Sequence, residues 1–164
     1  MEQTDVDPKI LRRACASFAT GVTVALARAP SGRIAGVTAN SFTSVSLDPP
    51  LVLWSISNTA PSRAVFDEAC GFSINVLSGD QRYLSDRFAG RTGDKFSNLP
   101  LKRSLLDIPL LPEAIASFVC LRHETVAAGD HHILIGRVLH VEEHIAGDAL
   151  VFFGGEYRRL FTAG

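Results

Sequence analysis

Residues 22–38 of this 164-residue chain read VTVALARAPSGRIAGVT, two runs of small and β-branched residues joined by a turn. Val22 to Ala27 and Ile34 to Thr38 are typical of strands, and Pro30-Ser31-Gly32 supplies the turn residues of a hairpin. Strand-like runs recur at residues 51–56, 72–77, 115–126, 132–144 and 150–153. Six or so strands with only short helices predict a β-barrel or a β-sandwich rather than a parallel α/β sheet.

Three segments carry helical patterns. Asp7 to Phe18 has apolar residues at helical spacing, an aspartate as a cap and a proline at the first helical position. Ser62 to Ala69, with Ser62 as its cap, and Gln81 to Phe88 are shorter candidates. Residues 90–112 contain several glycines and prolines and are predicted to form a loop.

Size and charge exclude several classes of function. A chain of 17.7 kDa is too short for a Rossmann domain followed by a separate substrate domain. The formal net charge of −1 provides no general attraction for nucleic acid or an anionic membrane. The N-terminal sequence lacks the pattern of a signal peptide, and the three cysteines show no CxxC spacing. We therefore expect a cytoplasmic protein with reduced thiols and neither a nucleic-acid nor a membrane partner.

Familiar catalytic motifs are absent from the sequence. It contains no GxGxxG after a strand, no Walker loop, no HExxH and no GxSxG. His131 and His132 are adjacent, so on a strand they would point to opposite faces, while His140 and His144 lie too far along an extended chain to join His132. We therefore expect no metal site.

A polar stretch separates two of the predicted strands. Residues 38–46 read TANSFTSVS and carry six hydroxyl or amide side chains in nine positions. One interpretation is an edge strand whose hydroxyls face water. The other is a neutral cradle of hydroxyls and backbone N–H groups for a phosphate or a heteroaromatic ring.

Combined with other segments in the same order, this stretch resembles the flavin reductase family of split-barrel proteins. The matching segments are residues 18–24 (FATGVTV), 38–51 (TANSFTSVSLDPPL), 72–77 (FSINVL), 84–90 (LSDRFAG), 129–131 (GDH) with 135–138 (IGRV), and 152–157 (FFGGEY). The resemblance implies a mainly β fold, a split β-barrel of the Greek-key, FMN-binding type with a few short helices. It also implies that residues 1–164 form a single flavin reductase-like domain.

The resemblance further implies a set of site residues. The flavin ring and phosphate would be held by Thr38, Ala39, Asn40, Ser41, Phe42, Ser44 and Val45. The phosphate or adenine side would be lined by Ser55, Thr59, Ala60 and Ser62. Phe88 would lie near the ring, with Arg87 or Arg91 able to meet a phosphate, although spacing alone equally allows a core position for Phe88. His131 would lie beside the nicotinamide as the catalytic residue, with Tyr157 in the same pocket; alternatively, Asp130 holds His131 at a strand start. Because His132 follows directly, the sequence leaves open which of the two imidazoles faces the nicotinamide.

The function implied by the resemblance is an NAD(P)H:flavin oxidoreductase. It would reduce FMN or FAD with NADH or NADPH, supply free reduced flavin to a partner flavin-dependent monooxygenase, and act as a homodimer. Hydride transfer between two cofactors needs stacking and exclusion of water rather than an acid–base pair, so the missing catalytic motifs are expected. Two alternatives stay open at this point: a barrel that carries or stores flavin without reducing it, and a flavin-free interaction module.

Overall fold

Antiparallel strands make up most of the computed structural model, which describes residues 6–91, 93–104, 106–144 and 147–160. The strands are β1 (Thr20–Gly21), β2 (Thr23–Arg28), β3 (Ile34–Ala39), β4 (Thr43–Leu47), β5 (Pro50–Ser57), β6 (Gly71–Val76), β7 (Lys102–Arg103), β8 (Pro109–Leu110), β9 (Ala116–Ala128), β10 (His131–Glu143), β11 (Leu150–Phe153) and β12 (Glu156–Arg159). The helices are α1 (Pro8–Cys15), α2 (Arg63–Glu68) and α3 (Arg82–Ala89).

Seven strands form one sheet in the order β3-β2-β6-β9-β10-β5-β4. This sheet curls so that the chain leaving β3 meets β5, where the Ser55 backbone N–H donates to Ser41 Oγ at 2.9 Å. A second sheet has the order β1-β11-β12, and β7 pairs with β8. The result is a partly open barrel with a smaller sheet beside it.

The predicted hairpin at residues 22–38 is confirmed. β2 and β3 pair antiparallel, and Gly32 takes the left-handed φ of 86° that the turn requires. α1 begins where the sequence predicts, with Asp7 Oδ1 accepting from the Lys9 N–H at 2.8 Å. It ends at Cys15 rather than Phe18, whose side chain is 75% exposed and has no core to join.

The described residues contain twelve strands, more than the six or so predicted. The additional ones are mostly short, and β1 exists only because Thr20 and Gly21 pair with β11 near the other end of the chain. β7 and β8 lie within residues 90–112, where the sequence predicted only loop. Such long-range pairings leave little signal in local sequence patterns.

The core consists of two main clusters. One surrounds Trp54, whose ring lies edge-on to Phe66 at 5.0 Å and to Phe72 at 5.9 Å. The other packs α3 against the sheet and contains Leu26 and Phe88. Among the described residues no helix is long and apolar enough to cross a membrane, and no three potential ligands cluster as a metal site would require.

Candidate functional site

A cleft of about 260 Å³ opens where the ends of β3 and β5 meet the start of β10. Its lining includes seven of the residues predicted for the site: Thr38, Ala39, Asn40, Ser41, Ser55, Ala60 and His131. These positions are separated by up to 93 residues in the chain, and the curled sheet brings them together. The cleft is therefore the candidate active site.

Strand register places the histidine at this cleft. His131 is the first residue of β10 and lies directly opposite Ser57 of β5. Side chains of directly opposed residues emerge on the same face of a sheet. The preceding turn, Gly129–Asp130, sets where β10 begins, with Gly129 at a left-handed φ of 63°.

Hydrogen bonding orients the His131 ring. Its Nδ1 lies 2.7 Å from Asp130 Oδ1, and since a carboxylate only accepts, Nδ1 carries the proton and donates. The bond and the charge of His131 lower the pKa of the exposed Asp130 carboxyl. Among the described residues the Nε2 atom has no hydrogen-bond partner, and the His131 side chain is 44% exposed, so Nε2 is available to a ligand.

The neighbouring His132 has a different environment. Its Nδ1 lies 2.6 Å from Asn58 Oδ1, and its Nε2 lies 3.2 Å from Arg63 Nη2 in α2. Successive residues of a strand face opposite sides, which separates the two histidines. His131 therefore lines the cleft, while His132 belongs to a polar network beside α2.

A smaller hollow of about 160 Å³ adjoins the cleft, sharing Thr38 and Asn40 with it. Tyr157 lines this hollow, and its hydroxyl lies 2.7 Å from Ser85 Oγ. Thr38 Oγ1 donates to the Ser85 carbonyl at 2.6 Å, so α3 connects these two side chains. The sequence-predicted Tyr157 thus lies next to the cleft rather than in its lining.

A second cleft of about 290 Å³ lies beyond the turn that follows β5. Ser62, Arg91 and Lys95 line it, and Arg91 Nη2 donates to the Thr59 carbonyl at 2.9 Å. Lys95 Nζ donates to two backbone carbonyls, and burial lowers the pKa of its ammonium group. Asp94 also lines this cleft, and its Oδ1 accepts from the Phe96 and Ser97 N–H groups. No carboxylate among the described residues forms a salt bridge with Arg91 or Lys95, so both cations are available to an anion.

The polar stretch at residues 38–46 fits both interpretations of its sequence. Thr38 to Ser41 lines the cleft, as a cradle would. Ser44 and Val45 lie on β4, the outermost strand of the sheet, and are exposed, as an edge strand predicts. Phe42, which lies between these two parts of the stretch, packs on Phe118 with ring centroids 5.3 Å apart.

Two predicted residues near α3 lie away from the cleft. Phe88 is completely buried and packs against Phe96 at 5.4 Å, which is the core position that its spacing also allowed. Because the Phe88 ring has no exposed surface, it cannot touch a ligand directly in this structure. Arg87 donates to the Ser97 carbonyl and so fastens the loop after α3.

Three residues that line the cleft were not predicted from the sequence: Val37, Ile56 and Ser57. A usable signal existed for Ser57, because it lies two residues beyond Ser55 and strand periodicity places the two on one face. Val37 and Ile56 look like ordinary core residues in the sequence, and only the curl of the sheet brings them to the cleft.

Comparison with known proteins supplies independent findings. The sequence model of the "flavin reductase like domain" matches residues 15–160. The FMN reductase (NADH) SmoA of Agrobacterium fabrum is 47% identical over 91% of this chain and 84% of the relative. The reductase component of the flavin-dependent trigonelline monooxygenase of Acinetobacter baylyi is 44% identical, and although 84% of this chain is matched, the chain spans only 45% of that relative.

A solved structure gives the same result for the fold. The NADH:FAD oxidoreductase SgcE6 of Streptomyces globisporus, in complex with NAD and FAD fragments, superposes with a TM-score of 0.88 at 35% identity. The superposition covers 96% of each chain. The predicted mainly β fold of the split-barrel type is therefore confirmed.

Proposed function

The chain belongs to the flavin reductase like domain family, and from this premise we propose that it is an NAD(P)H:flavin oxidoreductase acting at the cleft beside His131. The reaction moves hydride from NADH or NADPH to FMN or FAD. The observation that carries the proposal is the convergence of Thr38–Ser41, Ser55 and His131 on one cleft. The chemistry of the lining suits both cofactors.

The lining fits a flavin because it mixes apolar and polar residues. The apolar ones are Val37, Ala39, Ile56 and Ala60, and the polar ones are Thr38, Asn40, Ser41, Ser55 and Ser57. A flat heteroaromatic ring needs apolar surface under its faces and hydrogen-bonding groups at its edge. When bound, the flavin supplies the electron-accepting ring.

The residues of the chain would bind the two cofactors, orient their rings and exclude water from between them. Asn40 lines both the cleft and the hollow beside Tyr157, so its amide would bond the edge of a ring. Because Asp130 holds Nδ1, the Nε2 of His131 would bond a nicotinamide group at the rim. Holding two rings in register accounts for most of the catalysis that such a site must provide.

Phosphate groups would bind in the second cleft. Arg91 and Lys95 line it together with Ser62, and Ala60, two residues earlier, lines the first cleft. An anion there gains charge-assisted hydrogen bonds from two cations that lack a carboxylate partner among the described residues. In this proposal the phosphate end of the flavin would lie next to its ring.

Reduced flavin would pass to a partner monooxygenase. The relative from Acinetobacter baylyi is the reductase component of such an enzyme, which supports the same role here. We also propose a cytoplasmic homodimer: at about 260 Å³ the cleft is small for two cofactors, and apolar side chains are exposed on β4 and β10, where a second copy can cover them.

Steady-state kinetics test this function directly. Purified protein is mixed with each of the four pairs of NADH or NADPH with FMN or FAD, and the loss of nicotinamide absorbance is recorded. We expect turnover with at least one pair and formation of reduced flavin in equal amount under anaerobic conditions. Absence of turnover with all four pairs, in protein that binds FMN, would contradict the proposal and favour a flavin carrier.

A further inference from the structure

Asn58 lies in the turn after β5 and bonds to the turn that precedes β10. Its backbone N–H donates to the Asp130 carbonyl at 2.9 Å, and its Nδ2 donates to the Gly129 carbonyl at 3.1 Å. Gly129 and Asp130 are the two residues immediately before His131. One asparagine therefore ties the histidine's turn to the opposite wall of the cleft.

The other end of the Asn58 amide is also held. Its Oδ1 accepts from His132 Nδ1 at 2.6 Å and from Arg63 Nη1 at 3.0 Å. The Gly129 carbonyl can only accept, so the amide orientation is determined and His132 must carry its proton on Nδ1. Its unprotonated Nε2 then accepts from Arg63 Nη2 at 3.2 Å. All donors and acceptors in the network match.

The turn at Gly129 and Asp130 depends on these hydrogen bonds, since it is not buried. Asn58 and residues 123–130 are exposed, so apolar packing contributes little at this end of the β9–β10 hairpin. The pairing of β9 with β6 ends at Leu121, and the Arg122 N–H makes one more bond, to the Cys70 carbonyl at 2.9 Å. Beyond that point β10 is the only strand among the described residues that pairs with β9. The ladder between β10 and β5 reaches His131, opposite Ser57, and stops there. The Asn58 bonds extend this hold to Gly129 and Asp130, the exposed turn residues just before the histidine.

We propose that Asn58 is a positioning residue, supported by His132 and Arg63, which holds His131 at the cleft for the nicotinamide donor. This inference rests on the proposed function. The floor of the cleft belongs to strands β3 and β5, whose place does not depend on Asn58. Loss of the asparagine should therefore affect the donor more than the flavin.

The first test is Asn58→Asp, which keeps the size and the acceptor but replaces the Nδ2 donor with an oxygen facing the Gly129 carbonyl. We expect the KM for the donor to rise about fivefold or more, while the Kd for FMN, measured by fluorescence quenching, changes by less than about twofold. Hydrogen exchange of residues 128–131 in the flavin-free protein should become faster.

His132 provides a rescue experiment. In His132→Asn, the new amide nitrogen can take the place of Nδ1 and donate to Asn58, so the donor KM should stay within about twofold of the parent value. In His132→Leu no donor remains, and the KM should rise as in Asn58→Asp. Asp67→Asn is the matched control, because the Asp67 carboxylate accepts from Arg63 Nε at 3.2 Å and not from the Nη atoms that bond Asn58 and His132.

The outcomes are distinguishable. A rise in donor KM of less than about fivefold in folded Asn58→Asp, or an equal loss of FMN affinity, overturns the positioning role. So does unchanged hydrogen exchange at residues 128–131, or a His132→Asn variant as impaired as His132→Leu. A parent protein that fails to oxidise NADH or NADPH contradicts only the proposed function, since the exchange comparison still decides whether Asn58 holds the turn.

Discussion

At the scale of single residues, His131 and His132 illustrate how neighbours in sequence acquire separate roles. His131 lines the cleft with Nδ1 bonded to Asp130, so we expect His131→Ala to lower kcat/KM for the nicotinamide donor by about tenfold or more. FMN affinity should change by less than about twofold, because the floor of the cleft is unaltered. Steady-state kinetics and fluorescence titration measure the two effects. His140→Ala, an exposed histidine on the same strand, is the control, and equal losses of turnover and binding would make His131 structural.

A second prediction at this scale concerns the positive charge of the second cleft. Arg91 forms no salt bridge among the described residues, so its guanidinium is available to a phosphate. Arg91→Gln should raise the Kd for FMN by about tenfold and leave the Kd for riboflavin, which lacks the phosphate, unchanged. Arg33→Gln, which breaks an exposed pair with Glu68, is the matched control. A parallel loss of affinity for both ligands would place the phosphate elsewhere.

At the scale of elements, the seating of α3 on β3 depends on Gly36. A Cβ built on Gly36 would lie 2.5 Å from Phe88 Cε1 and 2.7 Å from Leu26 Cδ2, both in the buried core. Gly36→Ala should therefore lower the free energy of unfolding by about 1–3 kcal/mol, measured by urea denaturation. Gly21→Ala is the control, since no atom of the described residues lies within 4 Å of its Cβ position, and it should cost less than about 0.5 kcal/mol. Equal effects at both sites would contradict this account.

Elements were also the scale at which sequence patterns predicted most. The hairpin of β2 and β3 and the start of α1 followed from local turn and cap chemistry, which acts between residues a few positions apart. Predicting the cleft required long-range information, because Ser57 meets His131 through the pairing of β5 with β10, which no local pattern specifies. The resemblance to a family provided that long-range information for Thr38–Ser41 and His131. It did not distinguish the buried Phe88 from a ligand contact, because both demand a large apolar side chain.

At the scale of the whole molecule, apolar side chains remain exposed on two strands of the large sheet. Leu47 on the outermost strand β4 is 92% exposed, and Leu139 and Val141 on β10 are 48% and 45% exposed. Leaving such side chains in water is unfavourable by about 25 cal/mol per Å², and a second copy of the chain can bury them. We expect light scattering to give twice the 17.7 kDa of one chain. Leu47→Asp should weaken the dimer by about tenfold or more, whereas Leu106→Asp, in the loop between β7 and β8, should not.

Because a dimer would enlarge the small cleft, Leu47→Asp should also lose turnover at low protein concentration and regain it at high concentration. A parent protein that stays monomeric at every concentration while fully active would refute both the dimer and its contribution to turnover.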